Sequence, residues 1–267
     1  AKENNMKVRG HALVWFQNVP DWMIRENGQR VSKEILYKKM KEHIDAVVNR
    51  YKKDVYCWDV VNEAISDNKK EVFRAKDSLF AIAGEEYVEM AFRFAKEADP
   101  DAQLYYNDYR FTDPDKRKKI FDLLKKLKEK GVPIDGVGMQ SHYTPGEITR
   151  EYLQETIDMF SSIGLKLQVT ELDVSVYDYR NKKSTDADPA DDAYTDQRKK
   201  MQAETYKMLF DVYTKNKDKI TGVTFWGSSD MKANFRSNRI GKMDYPFLFN
   251  EDLTPKPVFD DVVKFGK

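Results

Sequence analysis

Residues 55–63 read VYCWDVVNE. The run is apolar, rich in β-branched and aromatic side chains, and ends on an amide and a carboxylate, Asn62 and Glu63. A short apolar run of this kind predicts a strand that is buried on both faces, as in the parallel sheets of α/β proteins. Such proteins carry their chemistry at the carboxyl ends of the strands. The stretch therefore predicts an α/β fold and makes Glu63 a first candidate for catalysis.

Five similar runs alternate with longer amphipathic stretches along the 267-residue chain. This alternation is typical of βα units on a parallel sheet, either a barrel or a doubly wound sheet. Helix N-caps are predicted at Ser32, Asp113 and Thr149. No linker divides the chain, so we expect one domain over residues 1–267. The six predicted strands are Met6–Trp15, Val55–Glu63, Gln103–Tyr109, Gly136–Tyr143, Lys166–Ser175 and Gly222–Asp230.

Composition excludes several classes of function. Lys plus Arg number 46 and Asp plus Glu number 45, so a net charge of +1 predicts neither a nucleic-acid partner nor an anionic membrane partner. The single cysteine, Cys57, excludes an internal disulfide and a cysteine-based zinc site. A metal-dependent hydrolase using His11, His142 and carboxylates is a further alternative, although the close-spaced histidine pairs of such sites are lacking. No run of 18 apolar residues predicts a membrane span.

Polar and aromatic side chains end every predicted strand. Because the carboxyl ends of parallel strands meet at one edge, we expect these side chains to converge on one rim. In chain order they are His11 and Trp15; Asn62 and Glu63; Asn107, Asp108 and Tyr109; Gln140, Ser141 and His142; Glu171 and Asp173; and Trp226.

Glu63 and Glu171 are the two carboxylates that suit catalysis. A carboxylate ending a buried strand is costly to desolvate unless it has a function or a partner. Two of them facing one cavity suit glycoside hydrolysis, in which one is a protonated acid and the other stays ionised. Retention of configuration would then place them about 5 Å apart. The alternative is that either glutamate only pairs with a lysine or arginine on the rim.

His142 and Asp173 are expected to support Glu171. Asp173 lies two residues after Glu171 and shares its face of the strand, and His142 follows the preceding predicted strand. A Glu–His–Asp line would fix the orientation and charge of Glu171. The alternative is a histidine with a structural hydrogen bond only. Core packing is likewise the alternative for three tryptophans that could stack on sugar rings, Trp15, Trp22 and Trp226.

Four strings in this order resemble glycoside hydrolase family 10: Gly10–Trp15 (GHALVW), Trp58–Glu63 (WDVVNE), Val169–Asp173 (VTELD) and Phe225–Gly227 (FWG). The likeness extends to Leu253–Pro257 near the end of the chain. That family consists of endo-β-1,4-xylanases on a (β/α)8 barrel that retain the anomeric configuration. The resemblance implies a (β/α)8 TIM-barrel type of fold, of which about six βα units are visible here, a xylan or xylo-oligosaccharide substrate, and neither a cofactor nor a metal.

The resemblance also implies residue roles. Glu63 would be the general acid/base and Glu171 the nucleophile, held by His142 and Asp173. Asn62 would contact the 2-hydroxyl of the sugar at the cleavage point. Further substrate-binding positions implied by the resemblance are His11, Trp15, Gln140 and Trp226 on the glycone side, Asn107 and Tyr109 near the aglycone side, and Asn18 after the first strand.

The sequence departs from the family pattern in ways that affect sugar binding. Phe16 stands where a second histidine is usual, and Ser228–Asn238 lacks a second tryptophan that commonly covers the glycone sugar. The family's first two strands have no counterpart here, so the chain is either a fragment or naturally short. A naturally short chain would expose strand edges, which predicts a homo-oligomer. We expect weakened glycone binding and reduced turnover; the alternative function is an impaired barrel that binds xylan without cleaving it.

Overall fold

The computed structural model describes residues 1–74, 78–178, 194–233 and 241–263. The chain forms two compact units. The first comprises Ala1–Gly138 with Phe160–Lys166, and the second comprises Met139–Met159 with Leu167–Lys267. The expectation of one catalytic domain over residues 1–267 stays a prediction.

The first unit contains a sheet with the strand order β1-β4-β5-β6 among its described residues. β1 runs parallel to β4, and β4 runs parallel to β5. In chain order the elements are β1 (Val8–Trp15), α1 (Asp21–Ile24), β2 (Arg25–Glu26), β3 (Gln29–Arg30), α2 (Lys33–Tyr51), β4 (Val55–Asn62), α3 (Ser78–Ala83), α4 (Glu86–Ala98), β5 (Gln103–Asp108), α5 (Pro114–Glu129) and β6 (Gly136–Met139).

The predicted helix signals in the first unit are confirmed. Ser32 caps α2 by accepting a hydrogen bond from the Ile35 N–H at 3.4 Å. Asp113 caps α5 by accepting from two main-chain N–H groups, with Pro114 at the first helical position, where its missing N–H costs nothing. The inward face of α2 buries side chains four residues apart, namely Leu36, Met40, Ile44 and Val48.

The second unit is organised around one long strand. Its described elements are β7 (His142–Tyr143), α6 (Arg150–Ser161), β8 (Lys166–Val174), α7 (Asp196–Lys215), β9 (Ile220–Phe225) and α8 (Pro257–Val263), with α6 and β8 sharing a few residues with the first unit. β8 runs parallel to β7 on one side and to β9 on the other. The register pairs His142 with Asp173 and Leu172 with Phe225.

The structure corrects three strand predictions. The predicted strand Gly136–Tyr143 is interrupted, because Ser141 has a φ of +63°, a left-handed conformation that a strand cannot continue through. Glu171 lies inside its strand and not at the end, because β8 pairs with β7 and continues to Val174, within one residue of the predicted strand end at Ser175. β9 begins at Ile220, two residues earlier than predicted, and ends at Phe225, five residues earlier than predicted.

Two further observations concern the rest of the chain. The polar, Asp-rich sequence Tyr177–Asp192 predicts a long surface loop, and from position 179 onward this segment lies outside the described residues. Among the described residues, no helix is both long enough and apolar enough to cross a lipid bilayer.

Candidate active site

Glu63 directly follows β4, in a conformation that is uncommon for a residue with a side chain. Its φ is +58°, in the left-handed region. The Glu63 N–H donates to the Asn107 carbonyl at 2.9 Å, and the Glu63 carbonyl accepts from Arg74 Nε at 2.8 Å. Both polar groups of the main chain at this residue are therefore held, which fixes the point at which the Glu63 side chain leaves the strand.

The Glu63 carboxylate is contacted by two neutral donors. The Trp15 indole N–H donates to Oε2 at 3.3 Å and the Asn62 amide donates to Oε1 at 3.2 Å. The Asn62 Oδ1 accepts in turn from Asn107 Nδ2 at 2.9 Å. Glu63 is 8% exposed and Asn107 is fully buried. β1, β4 and β5 thus each contribute one side chain to the setting of this carboxyl group.

His11 lies in the same unit and is oriented by a buried ion pair. The Asp59 carboxylate is completely buried and receives two hydrogen bonds from the Arg9 guanidinium, at 2.6 and 2.7 Å. The same carboxylate contacts His11 Nδ1 at 2.8 Å. Because an ionised carboxylate only accepts, the hydrogen of this bond lies on Nδ1. Nε2 of His11 is the ring nitrogen that this contact leaves for other partners, and the His11 side chain is 26% exposed.

A charged network holds the main chain at and after Glu63, and no local sequence pattern predicts it. Arg74, which holds the Glu63 carbonyl, also donates to the Tyr109 hydroxyl at 2.7 Å and pairs with Asp67 at 3.3 Å. The Tyr109 hydroxyl donates to Asp67. Lys116, only 2% exposed, pairs with Asp67 at 2.9 Å and lies 3.4 Å from the centre of the Tyr109 ring. These groups rigidly support the loop that follows Glu63.

The network shifts the pKa values of its members. Partial burial of Asp67 raises its pKa, but the ammonium of Lys116 and the hydrogen bond from Tyr109 outweigh burial and lower that pKa to about 2. Burial and the hydrogen bond to Asp67 raise the pKa of Tyr109. Burial lowers the pKa of Arg74, but its bonds to Tyr109 and its attraction to Asp67 raise it overall. Asp67 therefore stays ionised and Tyr109 stays neutral across the physiological range.

The second unit places Glu171, His142 and Asp173 in one hydrogen-bonded line. His142 Nε2 lies 3.1 Å from Glu171 Oε2, and Nδ1 lies 2.9 Å from Asp173 Oδ2. The three side chains are all at least nine-tenths buried. The register that pairs His142 with Asp173 across β7 and β8 sets this line. Two ionised carboxylates can both be satisfied only if both ring nitrogens donate, as an imidazolium does.

Neighbouring residues fix the line from both sides. The Glu171 N–H donates to the Gln140 carbonyl at 3.1 Å, and Gln140 itself is buried. The Trp226 N–H donates to the Leu172 carbonyl at 3.1 Å, and the Trp226 ring lies edge-on to His142 with centroids 6.3 Å apart. Trp226 is 42% exposed, so part of its indole is open for contact.

Other aromatic residues from the sequence analysis divide into core and surface. Trp58 is buried and packs so tightly that a Cβ on Gly10 would lie 2.1 Å from its ring. Trp22 is 54% exposed on α1. Phe16 places its ring 4.6 Å from the Arg74 guanidinium carbon. Asn18 is exposed in the short helical turn after β1.

The described residues contain no group of three or more His, Cys, Asp or Glu side chains arranged to hold a metal ion. His43 contacts the main-chain carbonyl of Leu13 at 3.0 Å, which joins α2 to β1. That contact accounts for His43 structurally.

The chain matches the model of glycosyl hydrolase family 10 over residues 1–265. It belongs to glycosyl hydrolase family 10. It is 45% identical over 267 residues to a β-1,4-xylanase of Dictyoglomus thermophilum, covering 99% of this chain and 72% of that protein. It is 40% identical to an endo-1,4-β-xylanase of Geobacillus stearothermophilus, covering 96% of this chain and 76% of that one. A crystal structure of a xylanase from Paenibacillus barcinonensis, 37% identical, superposes with a TM-score of 0.90 over 98% of this chain and 78% of its own.

Membership of family 10 confirms the resemblance found in the sequence and the predicted fold class. The fold class is that of the (β/α)8 barrel, and the chain is a glycoside hydrolase. The signals that carried the prediction are the strings around Glu63 and Glu171. Arg74 and Asp67 carried no such signal, because their contacts join a loop to Tyr109, just after β5, and to α5, and cannot be seen in local sequence.

Proposed function

We propose that this family 10 chain is a retaining endo-β-1,4-xylanase that hydrolyses xylan or xylo-oligosaccharides by double displacement. The observation that carries the proposal is the Glu171–His142–Asp173 line, in which a buried carboxylate is oriented by a histidine that a second carboxylate holds. Support comes also from the relatives described above, which are named as β-1,4-xylanases.

Glu171 is the proposed nucleophile. It must be ionised to attack, and the adjacent imidazolium of His142 would stabilise its negative charge while Asp173 stabilises the imidazolium. In the first step a carboxylate oxygen of Glu171 bonds to the anomeric carbon, and the bond from that carbon to the glycosidic oxygen breaks. The electron pair stays on the departing oxygen, which then needs a proton.

Glu63 is the proposed source of that proton. It lies at the end of β4 with two neutral donors on its oxygens, Trp15 and Asn62, and it is largely buried. A largely buried carboxyl group that accepts hydrogen bonds from neutral donors suits a residue that serves in turn as acid and base. In the second step Glu63 takes a proton from water, the water oxygen bonds to the anomeric carbon, and Glu171 is released.

The exposure of His11 and Trp226 and the hydrogen-bond partners of Asn107 and Tyr109 refine the proposed sugar contacts. Nε2 of His11 and the open part of Trp226 suit a sugar on the glycone side. Asn107 is fully buried against Asn62, so we assign it the task of orienting Asn62 towards the sugar 2-hydroxyl. The Tyr109 hydroxyl already donates to Asp67, so its role is to support the aglycone side. Trp15, Asn18 and Gln140 keep their proposed substrate contacts.

Two substitutions test the assignments. Glu171→Ala should abolish cleavage of every substrate. Glu63→Ala should reduce cleavage of xylan far more than cleavage of a dinitrophenyl xylobioside, whose leaving group needs no proton. Equal losses on both substrates for Glu63→Ala would contradict its role as general acid.

Assay of reducing ends after incubation with xylan separates the enzyme from the alternative of a barrel that binds xylan without cutting it. New reducing ends support the xylanase, and binding without them supports the alternative. The predicted weakening of glycone binding is tested by measuring KM for xylobiosides and xylotriosides. The KM values of this chain should be higher than those of a relative that carries histidine at the position of Phe16.

A metal-dependent hydrolase is tested by chelation. Activity that persists after chelation argues against it.

A further inference from the structure

The main chain beyond Glu171 is held on both sides by hydrogen bonds. On one side, the N–H groups of Asp173 and Ser175 donate to the carbonyls of Ser141 and Tyr143, at 3.4 and 3.0 Å. On the other side β9 pairs with β8 only as far as Leu172. Past that point a different part of the chain takes the place of β9.

That part is residues 244–246, here called the brace. The Val174 N–H donates to the Pro246 carbonyl at 3.3 Å, and the Val176 N–H donates to Asp244 Oδ1 at 3.1 Å. Asp244 is fully buried, and its Oδ1 also accepts from the Tyr245 N–H at 2.8 Å. The brace therefore acts as a short neighbouring strand for the end of β8.

Gln202 of α7 joins the brace to β8. Its Nε2 donates to the Val174 carbonyl at 2.8 Å and to the Tyr245 carbonyl at 2.6 Å, while Oε1 accepts from the Tyr194 hydroxyl at 2.9 Å. Gln202 is 1% exposed. An amide offers two donors and one acceptor oxygen, and here both donors and the acceptor are used.

Two more side chains fix the brace from behind. The hydroxyl of Tyr206, one helical turn after Gln202, donates to the Pro246 carbonyl at 2.5 Å. Lys256 donates to the Tyr245 carbonyl at 2.7 Å and pairs with Asp230 at 2.7 Å, and both ionic groups are buried. Buried charges tolerate little displacement, so the brace is a rigid reference point rather than a loose strand end.

We propose that Gln202 is a positioning residue for the nucleophile, acting through the brace. Val174 follows Asp173 directly, and both its N–H and its carbonyl are anchored, to Pro246 and to Gln202. The position of Asp173 fixes His142, and His142 fixes Glu171. A displacement of about 1 Å in a reacting group can cost on the order of a hundredfold in rate, so a contact three residues from the nucleophile matters. The inference rests on the proposed function.

The test measures attack by Glu171 alone. The probe is a 2-deoxy-2-fluoro-β-xylobioside with a dinitrophenolate leaving group, applied at saturating concentration and followed by intact mass. Glu171 forms an ester bond to the anomeric carbon, the bond to the phenolic oxygen breaks, and dinitrophenolate leaves with the electron pair. For Gln202→Leu we expect the limiting rate constant of labelling to fall about tenfold, and for Tyr206→Phe about threefold.

Gln154→Leu is the matched control, because Gln154 makes its hydrogen bonds to Asp158 and Asn216 elsewhere in the same unit. Its rate constant should stay within about twofold of the unsubstituted chain. A rate constant is independent of how much protein is folded. A smaller labelled fraction with an unchanged rate constant for Gln202→Leu would therefore show a purely structural role and overturn the inference.

Tyr206→Phe decides the question if Gln202→Leu does not fold, because it removes one hydroxyl and keeps the ring. An unchanged rate constant for this variant would then overturn the inference. If the unsubstituted chain is not labelled on Glu171, the proposed function fails and the inference fails with it. Labelling of the unsubstituted chain on Glu171 with equal rate constants in all variants overturns the inference alone.

Discussion

Arg74 donates from Nε to the main-chain carbonyl of Glu63 at 2.8 Å, and so holds the residue proposed as general acid/base in its left-handed conformation. Arg74→Lys keeps the positive charge but loses the planar donor group. We expect kcat/KM for a xylo-oligosaccharide to fall about tenfold, and that for a dinitrophenyl xylobioside to fall less than about twofold, because the activated leaving group needs no proton.

The control for this prediction is Arg93→Lys. Arg93 pairs with Glu89 on the same helix at 2.9 Å, so its replacement should leave both substrates unaffected. Equal losses on the two substrates for Arg74→Lys would show that Arg74 supports the fold generally and not the acid in particular.

Asp173→Asn should slow the attack by the proposed nucleophile, Glu171. The substitution removes the anion that stabilises a protonated His142. The new amide can offer an N–H to Nδ1, which favours a neutral ring, so Glu171 loses the positive charge beside it. We expect kcat to fall by about 10- to 100-fold on activated and natural substrates alike, because both need the nucleophile. Steady-state kinetics on both substrates measures the effect, with Asp122→Asn, which breaks a surface pair with Lys118, as the control. A loss confined to the natural substrate would contradict the assignment.

Asp67 makes stability depend on pH in a defined direction. Its pKa falls from 3.8 to about 2 in the folded chain, so its ionised form stabilises the fold above pH 3.8 and this contribution is lost as the pH falls through about 2. Asp67→Asn should lower the free energy of unfolding at pH 6 by on the order of 1–2 kcal/mol, allowing for the solvent exposure of the side chain.

Urea unfolding of Asp67→Asn and the unsubstituted chain between pH 6 and the acid limit of folding checks this prediction. The difference between the two curves should be constant near neutrality and should shrink at acid pH. A difference that grows on acidification would have the wrong sign for a carboxylate whose pKa is lowered by folding.

Gly10 is the position where backbone space is most limited. A Cβ there would lie 2.1 Å from the Trp58 ring, which is itself buried, so Gly10→Ala should lower the free energy of unfolding by about 1–3 kcal/mol or more. At Gly222 the nearest atom to a Cβ is 3.9 Å away, so Gly222→Ala is the matched control and should change little. Similar effects of the two substitutions would contradict the packing described around Trp58.

The strand positions were predictable because buried parallel strands are apolar runs. Each of the six predicted strands overlaps a strand in the structure, and the strings around Glu63 and Glu171 carried the family membership. The break at Ser141 was not predictable, because a left-handed conformation at a serine has no local sequence signal. The length of β8 was predictable to within one residue, because its apolar run continues past Glu171 to Val174.

The β2–β3 hairpin has a local sequence signal, whereas the contacts that support Glu63 have none. The β2–β3 hairpin has a clear signal, the Asn27-Gly28 pair, whose φ values of 51° and 78° suit a tight turn, but its exposed strands lack an apolar alternation that would draw notice. The support of Glu63 by Arg74, Asp67 and Tyr109 joins residues up to 46 positions from Glu63 and needs tertiary structure to be seen.

Stereochemistry tests the proposed pairing of Glu63 and Glu171 most directly. Proton NMR of xylotetraose hydrolysis, recorded from the first minutes, separates the anomers of the newly formed reducing end. A double displacement through Glu171 inverts the anomeric carbon twice, so the β-anomer should appear first and the α-anomer should follow only by mutarotation. Appearance of the α-anomer as the first product would contradict the account.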